Sequence, residues 1–215
     1  MIEKDGIILR AIEKEDLPVL QGWRNNDSLR KYFREWRDFS LTQKEKWYDQ
    51  MIFDDRFQMF VIERSDKILS KESKLCGVAG ITYVDWVNRH GDVHFYIGKG
   101  GEWIDKRVAP TAFEMILDYG FNTMNLNKLW AEVYQIDNKK LNFFIKRGFS
   151  IDASLREHYF HKGQYYTSHI LSLLKKEYDE EFQISFSIRS LVFIYCPGCA
   201  HARVREHRIN NSATN

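Results

Sequence analysis

Residues 92–121 read DVHFYIGKGGEWIDKRVAPTAFEMILDYGF, and residues 126–149 read LNKLWAEVYQIDNKKLNFFIKRGF. The first stretch opens as a strand (Asp92–Gly98), passes a loop holding Gly98, Gly100 and Gly101, then meets Lys106-Arg107-Val108-Ala109 and a helical pattern through Phe113, Met115, Ile116 and Leu117. Pro110 breaks what would otherwise be one longer helix, so the helix is expected to start near Val108. In the second stretch Leu129–Gln135 reads as a strand, Asp137 and Asn138 start a helix, and Gly148 takes the left-handed position that ends it. A strand, a cationic loop and a helix N-terminus aim backbone N–H groups and a positive dipole end at one point, which suits a pyrophosphate. The alternative is a solvated βα connection whose Lys106 and Arg107 face water.

Working outward, Ile7–Ile12 reads as a first strand, and Pro18 opens a helix carrying Leu17, Leu20 and Trp23. A second helix runs from Thr42 to about Ile52, with Ser40 and Gln43 as a capping box. Gln58–Arg64, Leu75–Val84 and Asp92–Gly98 form an antiparallel meander, and Tyr159–Tyr166 is a hairpin before a last strand, Ser168–Leu174. The order predicts a mixed α/β (α+β) single domain.

Composition sets outer limits. The chain has 215 residues with 15 Phe, 11 Tyr and 6 Trp against 3 Pro, which excludes a disordered or low-complexity chain. Lys+Arg 32 against Asp+Glu 30 is too balanced to make nucleic acid the expected partner. No apolar run is long enough to span a membrane, and MIEKDGIILRAIEKEDL has no signal-peptide character. An odd cysteine count, 3, points to a reducing cytoplasm rather than a disulfide framework, with Cys76 as a small core residue.

The quoted stretches, ending in K-x-G-F, resemble the acetyl-CoA-binding half of a GNAT N-acetyltransferase. LRAIEKEDLPVLQGWRNNDSLRKYFREW (9–36) resembles that family's opening, and REHYFHKGQYYTSHILSLLKKEY (156–178) resembles the closing hairpin of its ribosomal-protein, spermidine and amino-sugar-nucleotide branch. The resemblance covers about 7–178 and implies the GNAT fold: a mixed central sheet with splayed strands and flanking helices. It implies a domain over 1–178 and an extension over 179–215. It also implies acetyl-CoA as co-substrate, held by Tyr96, Ile97, Gly98, Lys106, Arg107, Val108, Ala109, Pro110, Asn138, Phe144 and Lys146. Two departures stand out. Arg107 replaces a glycine of the phosphate loop, and Phe144 replaces the tyrosine that many members use as general acid.

Without that acid, direct attack through proximity is expected, with Tyr134 as another proton source. Asp92, His94 and Tyr96 share one strand face by period two, so His94 or Asp92 is a candidate base, and Glu132 on the next strand is another. The alternative for His94 is a satisfied structural histidine. Trp23, Arg24, Arg30 and Arg34, with Tyr83 and Trp86, make a basic-aromatic acceptor side suited to a nucleotide-sugar. The expected reaction is acetyl transfer to a primary amine, foremost an amino-sugar nucleotide of surface glycan synthesis. The alternatives are the N-terminus of a ribosomal protein and an inactive acyl-CoA-binding module, and a polyamine ranks last because 23–37 is basic. Cys196, Cys199, His201 and His207 give a weak zinc pattern, so no metal is expected. Phe186–Tyr195 is apolar and β-rich and needs a cover, from this chain or from a second copy in a homodimer.

Overall fold

The computed structural model describes residues 1–65, 74–101 and 103–180. The chain divides into two units, Met1–Tyr178 and Asp179–Asn215; the first is described below. The cysteine and histidine pattern of the tail and the apolar run 186–195 lie outside the described residues.

Eight strands form one sheet among the described residues, in the order β1-β2-β3-β4-β5-β6-β8-β7. They are β1 Ile2–Lys4, β2 Ile7–Ala11, β3 Gln58–Arg64, β4 Leu75–Asp85, β5 His90–Ile97, β6 Lys128–Tyr134, β7 Ser150–His161 and β8 Gln164–Leu174. The helices are α1 Leu17–Arg24, α2 Asp27–Arg30, α3 Leu41–Met51, α4 Ala109–Asp118 and α5 Asn138–Ile145. All neighbours run antiparallel except β5 and β6, which are parallel and joined by the α4 crossover.

Local chemistry explains most boundaries. The Ser40–Gln43 capping box closes in both directions, with Gln43 N–H donating to Ser40 Oγ at 3.2 Å and Ser40 N–H to Gln43 Oε1 at 2.9 Å. Pro18 and Pro110 both stand in a first helical turn, where a missing N–H costs nothing. The β7–β8 turn is Lys162-Gly163, both left-handed (φ 48° and 83°), the backbone a tight hairpin of this twist demands. Strand β1 and the single-turn helix α2 are additions to the expected order; both are too short to show periodicity.

Strand β5 sorts the core by alternation. Phe95 packs between Phe113 of α4 and Phe143 of α5, at ring separations of 5.2 and 5.9 Å. Its neighbour Tyr96 meets Trp23 of α1 and Phe33 from the opposite side of the sheet. The strand is therefore covered on both faces, and its two faces belong to different chemistry.

Gly98 ends β5 under the Trp23 ring: a Cβ there would lie 2.1 Å from Trp23 Cδ2. Its role is close packing, and Trp23, expected on the acceptor side, is the residue that needs it. Gly98→Ala is expected to cost about 1–3 kcal/mol in urea unfolding, and Trp23→Leu in the same chain is expected to recover part of that loss. A Gly98→Ala variant as stable as the parent would show that the indole is free to move.

Candidate active site

The site begins where the parallel pair parts. Strands β5 and β6 pair at His90–Lys128, Gly91–Leu129 and Asp92–Trp130, and the ladder stops there. Arg34, between α2 and α3, spans the fork: Nη1 donates to Asp92 Oδ2 at 2.7 Å and Nε to Glu132 Oε2 at 2.8 Å. Burial pushes the Asp92 carboxyl up, and the Arg34 guanidinium opposes it. Burial works against Arg34 as well, but Asp92 and Glu132 hold its guanidinium above the ordinary arginine value. Glu132 also faces His158, with Oε1 3.3 Å from Nδ1. These contacts correct three expectations. Asp92 and Glu132, both candidate bases, are engaged by Arg34 rather than standing ready, and Arg34 is a clamp on two strands before it is a substrate contact.

Above the fork lies a cavity of about 240 Å³. Asp92, His94 and Tyr96 all reach it, as the period of two requires. Burial, reinforced by the cations Arg24, Lys140, Lys44 and Arg34, holds the His94 imidazole well below its ordinary 6.5, so it is neutral at neutral pH. The ring meets Tyr96 edge-on at 5.7 Å, and no group among the described residues is hydrogen-bonded to it. Tyr134 lines the same space, stacked on Tyr159 at 3.9 Å. Burial, then the Glu132 charge, raises its hydroxyl, which therefore keeps its proton. Arg24 lies 3.8 Å over the Phe33 ring, and Lys44, in the first turn of α3, lies 3.5 Å over Trp47. Burial and then Arg24 lower the Lys44 ammonium to about 7.

A second, cationic cleft of about 900 Å³ opens beside the β5–α4 loop, lined by Ile97, Lys106, Arg107 and Val108 together with Arg64, Lys99 and Lys139. Its charge suits a diphosphate. The backbone donors, however, are already engaged. The Asp105 carboxylate accepts from Val108 N–H at 3.0 Å and from Ala109 N–H at 2.7 Å, and Trp103 C=O accepts from Ile97 N–H at 2.7 Å. Trp103 is buried, with φ 62° in the left-handed region, and its indole N–H reaches Asp137 Oδ2. The cleft fits the phosphates of acetyl-CoA through side-chain charge, with Asp105 holding the place of an anion at the start of α4.

Other expected residues lie elsewhere. Arg30 donates to Asn25 C=O and Asp38, outside both cavities. Trp86 is half-exposed and lines neither cavity, whereas Tyr83 stands at the mouth of the first with φ 50°. Asn138 is exposed, because Asp137 is the N-cap of α5, accepting from Lys140 N–H at 3.0 Å. Phe144 is fully buried among Phe113, Phe143 and Phe149 and cannot touch a bound arm from there. Lys146 caps the far end of α5 in solvent. Pro110, second residue of α4, offers no donor, as expected. Sequence reasoning missed Lys140, whose ammonium is 4.9 Å over Trp103 and which burial lowers despite Asp137 and Asp92. Nothing local marks it, since its environment comes from a loop 37 positions away (140 minus 103). Asp105 stands three residues before Val108, the spacing at which a carboxylate can accept from an amide at a helix start.

A splayed parallel pair with a cavity at the fork and a cationic loop opening the following helix defines an acyl-transfer enzyme class. Residues 7–150 match the acetyltransferase (GNAT) domain, and the chain belongs to that family. It is an N-acetyltransferase with acetyl-CoA as co-substrate. Spermidine N(1)-acetyltransferase of Escherichia coli K12 is 27% identical over 79% of this chain and 87% of its own length. A putative ribosomal N-acetyltransferase of Bacillus subtilis is 25% identical over 65% of this chain and 75% of its own. The crystal structure of Vibrio cholerae spermidine N-acetyltransferase in complex with CoA and spermine superimposes with a TM-score of 0.72 at 25% identity, covering 81% of this chain and 99% of that one. The spermidine enzymes belong to the polyamine branch that the basic segment 23–37 had placed last, and none of these relatives is an amino-sugar-nucleotide enzyme.

Lys44 gives the cavity a stability signature. Unfolded, its ammonium returns to the ordinary value of about 10.5, so between pH 7 and that value the unfolded chain binds the extra proton. Stability of the ligand-free protein should therefore rise with pH across this window, and Lys44→Met should flatten the rise and raise stability at pH 7. Parallel pH profiles for the two chains in urea unfolding would contradict the lowered ammonium.

Proposed function

We propose that the chain transfers the acetyl group of acetyl-CoA to the primary amine of a small acceptor bound above the β5–β6 fork, with residues 1–178 as the acetyltransferase domain and 179–215 as an extension. It acts in a reducing compartment; no helix among the described residues is long and apolar enough to cross a membrane. The observation that carries this reading is a neutral, unpartnered His94 facing the cavity at the point where the strands part. Acetyl-CoA supplies an activated acyl carbon; the chain supplies position and proton handling. His94 takes the proton that the amine must lose, and Tyr134, protonated at neutral pH, is the donor nearest in kind to the tyrosine missing at Phe144. Asp92 and Glu132, tied to Arg34, fix the width of the fork. Tyr96, Ile97 and Gly98 line the approach, and Lys106, Arg107 and the amides of Val108 and Ala109 receive the diphosphate once Asp105 has withdrawn.

For the acceptor, a polyamine is the reading that the relatives favour, since the Escherichia coli and Vibrio cholerae enzymes are spermidine acetyltransferases. A panel of amines, with free thiol as readout, tests it directly.

His94→Gln is expected to lower kcat by roughly 10²-fold or more with little change in the KM for acetyl-CoA, and to remove an acid limb that lies below pH 6.5 in the parent. An unchanged pH profile would remove His94 from the chemistry. Asp105→Ser keeps a helix cap while discarding a charge that opposes phosphate; it should tighten CoA binding about fivefold, equivalent to ~1 kcal/mol. Weaker binding in isothermal titration would mean that the carboxylate supports the bound loop instead.

A further inference from the structure

The charges around the acceptor cavity do not balance. Asp92 and Glu132 are both engaged by Arg34, and Glu35, which lines the cavity and whose charge is felt by Arg24 without an ion pair, is held by Arg37 through Nε and Nη2. Arg24 and Lys44 line the same cavity, and among the described residues neither has an ion pair or a hydrogen bond. Each is backed by aromatic rings instead: the guanidinium by Phe33 at 3.8 Å and Phe39 at 5.7 Å, the ammonium by Trp47 at 3.5 Å. A ring face attracts the charge but accepts none of its directional N–H bonds. Two cations at the adjoining ends of α1 and α3, repelling each other and turned into a cavity with unused donors, are an arrangement that an anion completes.

We propose that Arg24 and Lys44 form an anion subsite, so that the acceptor is an amine carrying a carboxylate or a phosphate at its far end. The proposal rests on the acetyltransferase reading and replaces the polyamine acceptor that the relatives suggest with an anionic one. It also separates this chain from its polyamine-acetylating relatives, because a polyamine would bring further ammonium groups towards Arg24, Lys44 and Lys140. The division of labour is simple: the anion is held at the helical wall, and the amine is presented to His94 and the fork.

The test uses the full chain, acetyl-CoA and two matched pairs of amines: putrescine against 4-aminobutyrate, and glucosamine against glucosamine 6-phosphate. The anionic member should be favoured at least tenfold in kcat/KM in one pair or both; the first pair reports a carboxylate and the second a phosphate. Arg24→Gln and Lys44→Gln should each remove most of that preference through the acceptor KM, with the acetyl-CoA KM serving as the control for folding, and Lys44→Arg should retain it. Preference for the cationic or neutral member in both pairs, or a preference indifferent to both glutamine variants, overturns the subsite. A second measurement needs no turnover. In the ¹³C-NMR titration of the reductively methylated protein, the Lys44 midpoint should rise by a pH unit or more with saturating glucosamine 6-phosphate or 4-aminobutyrate. No rise with either overturns the subsite, whereas a rise without transfer to any amine overturns the acetyltransferase reading and leaves the subsite standing.

Discussion

Parallel strands that stop pairing part-way create a problem that the rest of this molecule is arranged to solve. Beyond Asp92 and Trp130 the facing edges of β5 and β6 lose each other as partners, and buried backbone groups cannot be left without hydrogen bonds. Arg34 fixes the width of the opening by holding one carboxylate from each strand. Further along, the β5–α4 loop folds back so that Trp103 C=O receives Ile97 N–H, and the same tryptophan ties to Asp137 at the start of α5. The gap is thus bounded at its base by an ion bridge and along its side by a loop. What remains between them is the space in which His94 keeps its lone pair.

The electrostatics follow from that geometry. Closing the fork with Arg34 engages Asp92 and Glu132, and Glu35 pairs with Arg37, so Arg24 and Lys44 on the cavity wall have no ion pair among the described residues. Burial, and after it the field of the cavity's cations, keeps His94 neutral, and burial with Arg24 brings Lys44 to about 7. Arg34 is thus one of the cations that, after burial, lower His94, and its two ion pairs leave Arg24 and Lys44 to set the charge of the helical wall. The relatives share the fold, but a shared fold does not carry an acceptor charge with it.

Much of the scaffold could be read in advance because its determinants are local. The Ser40–Gln43 box, the helix-opening prolines, Gly148 with φ 82° and the alternation along β5 each depend on residues a few positions apart. The site was legible in its residue types and less so in their pairings. Asp92, His94 and Tyr96 do share a face, but the partner of Asp92 comes from 58 positions away. Arg30 and Arg34 look alike in sequence; one closes onto Asn25 and Asp38 beside its own helix, and the other crosses to the sheet. Asp137 and not Asn138 caps α5, and hydrogen-bonding capacity alone does not separate Asp from Asn as a cap. Phe144 was assigned by analogy to a tyrosine, and its hydrophobicity took it into the core.

The self-capped start of α4 has a further meaning for the order of events. The amides of Val108 and Ala109 already face a carboxylate, so in the proposed binding mode an arriving phosphate exchanges one anion for another rather than filling a bare dipole. The free chain consequently keeps a formed helix end and a closed loop without its co-substrate. Arrival of that co-substrate is then a substitution at a finished structure, gated by the departure of one side chain, rather than a folding event.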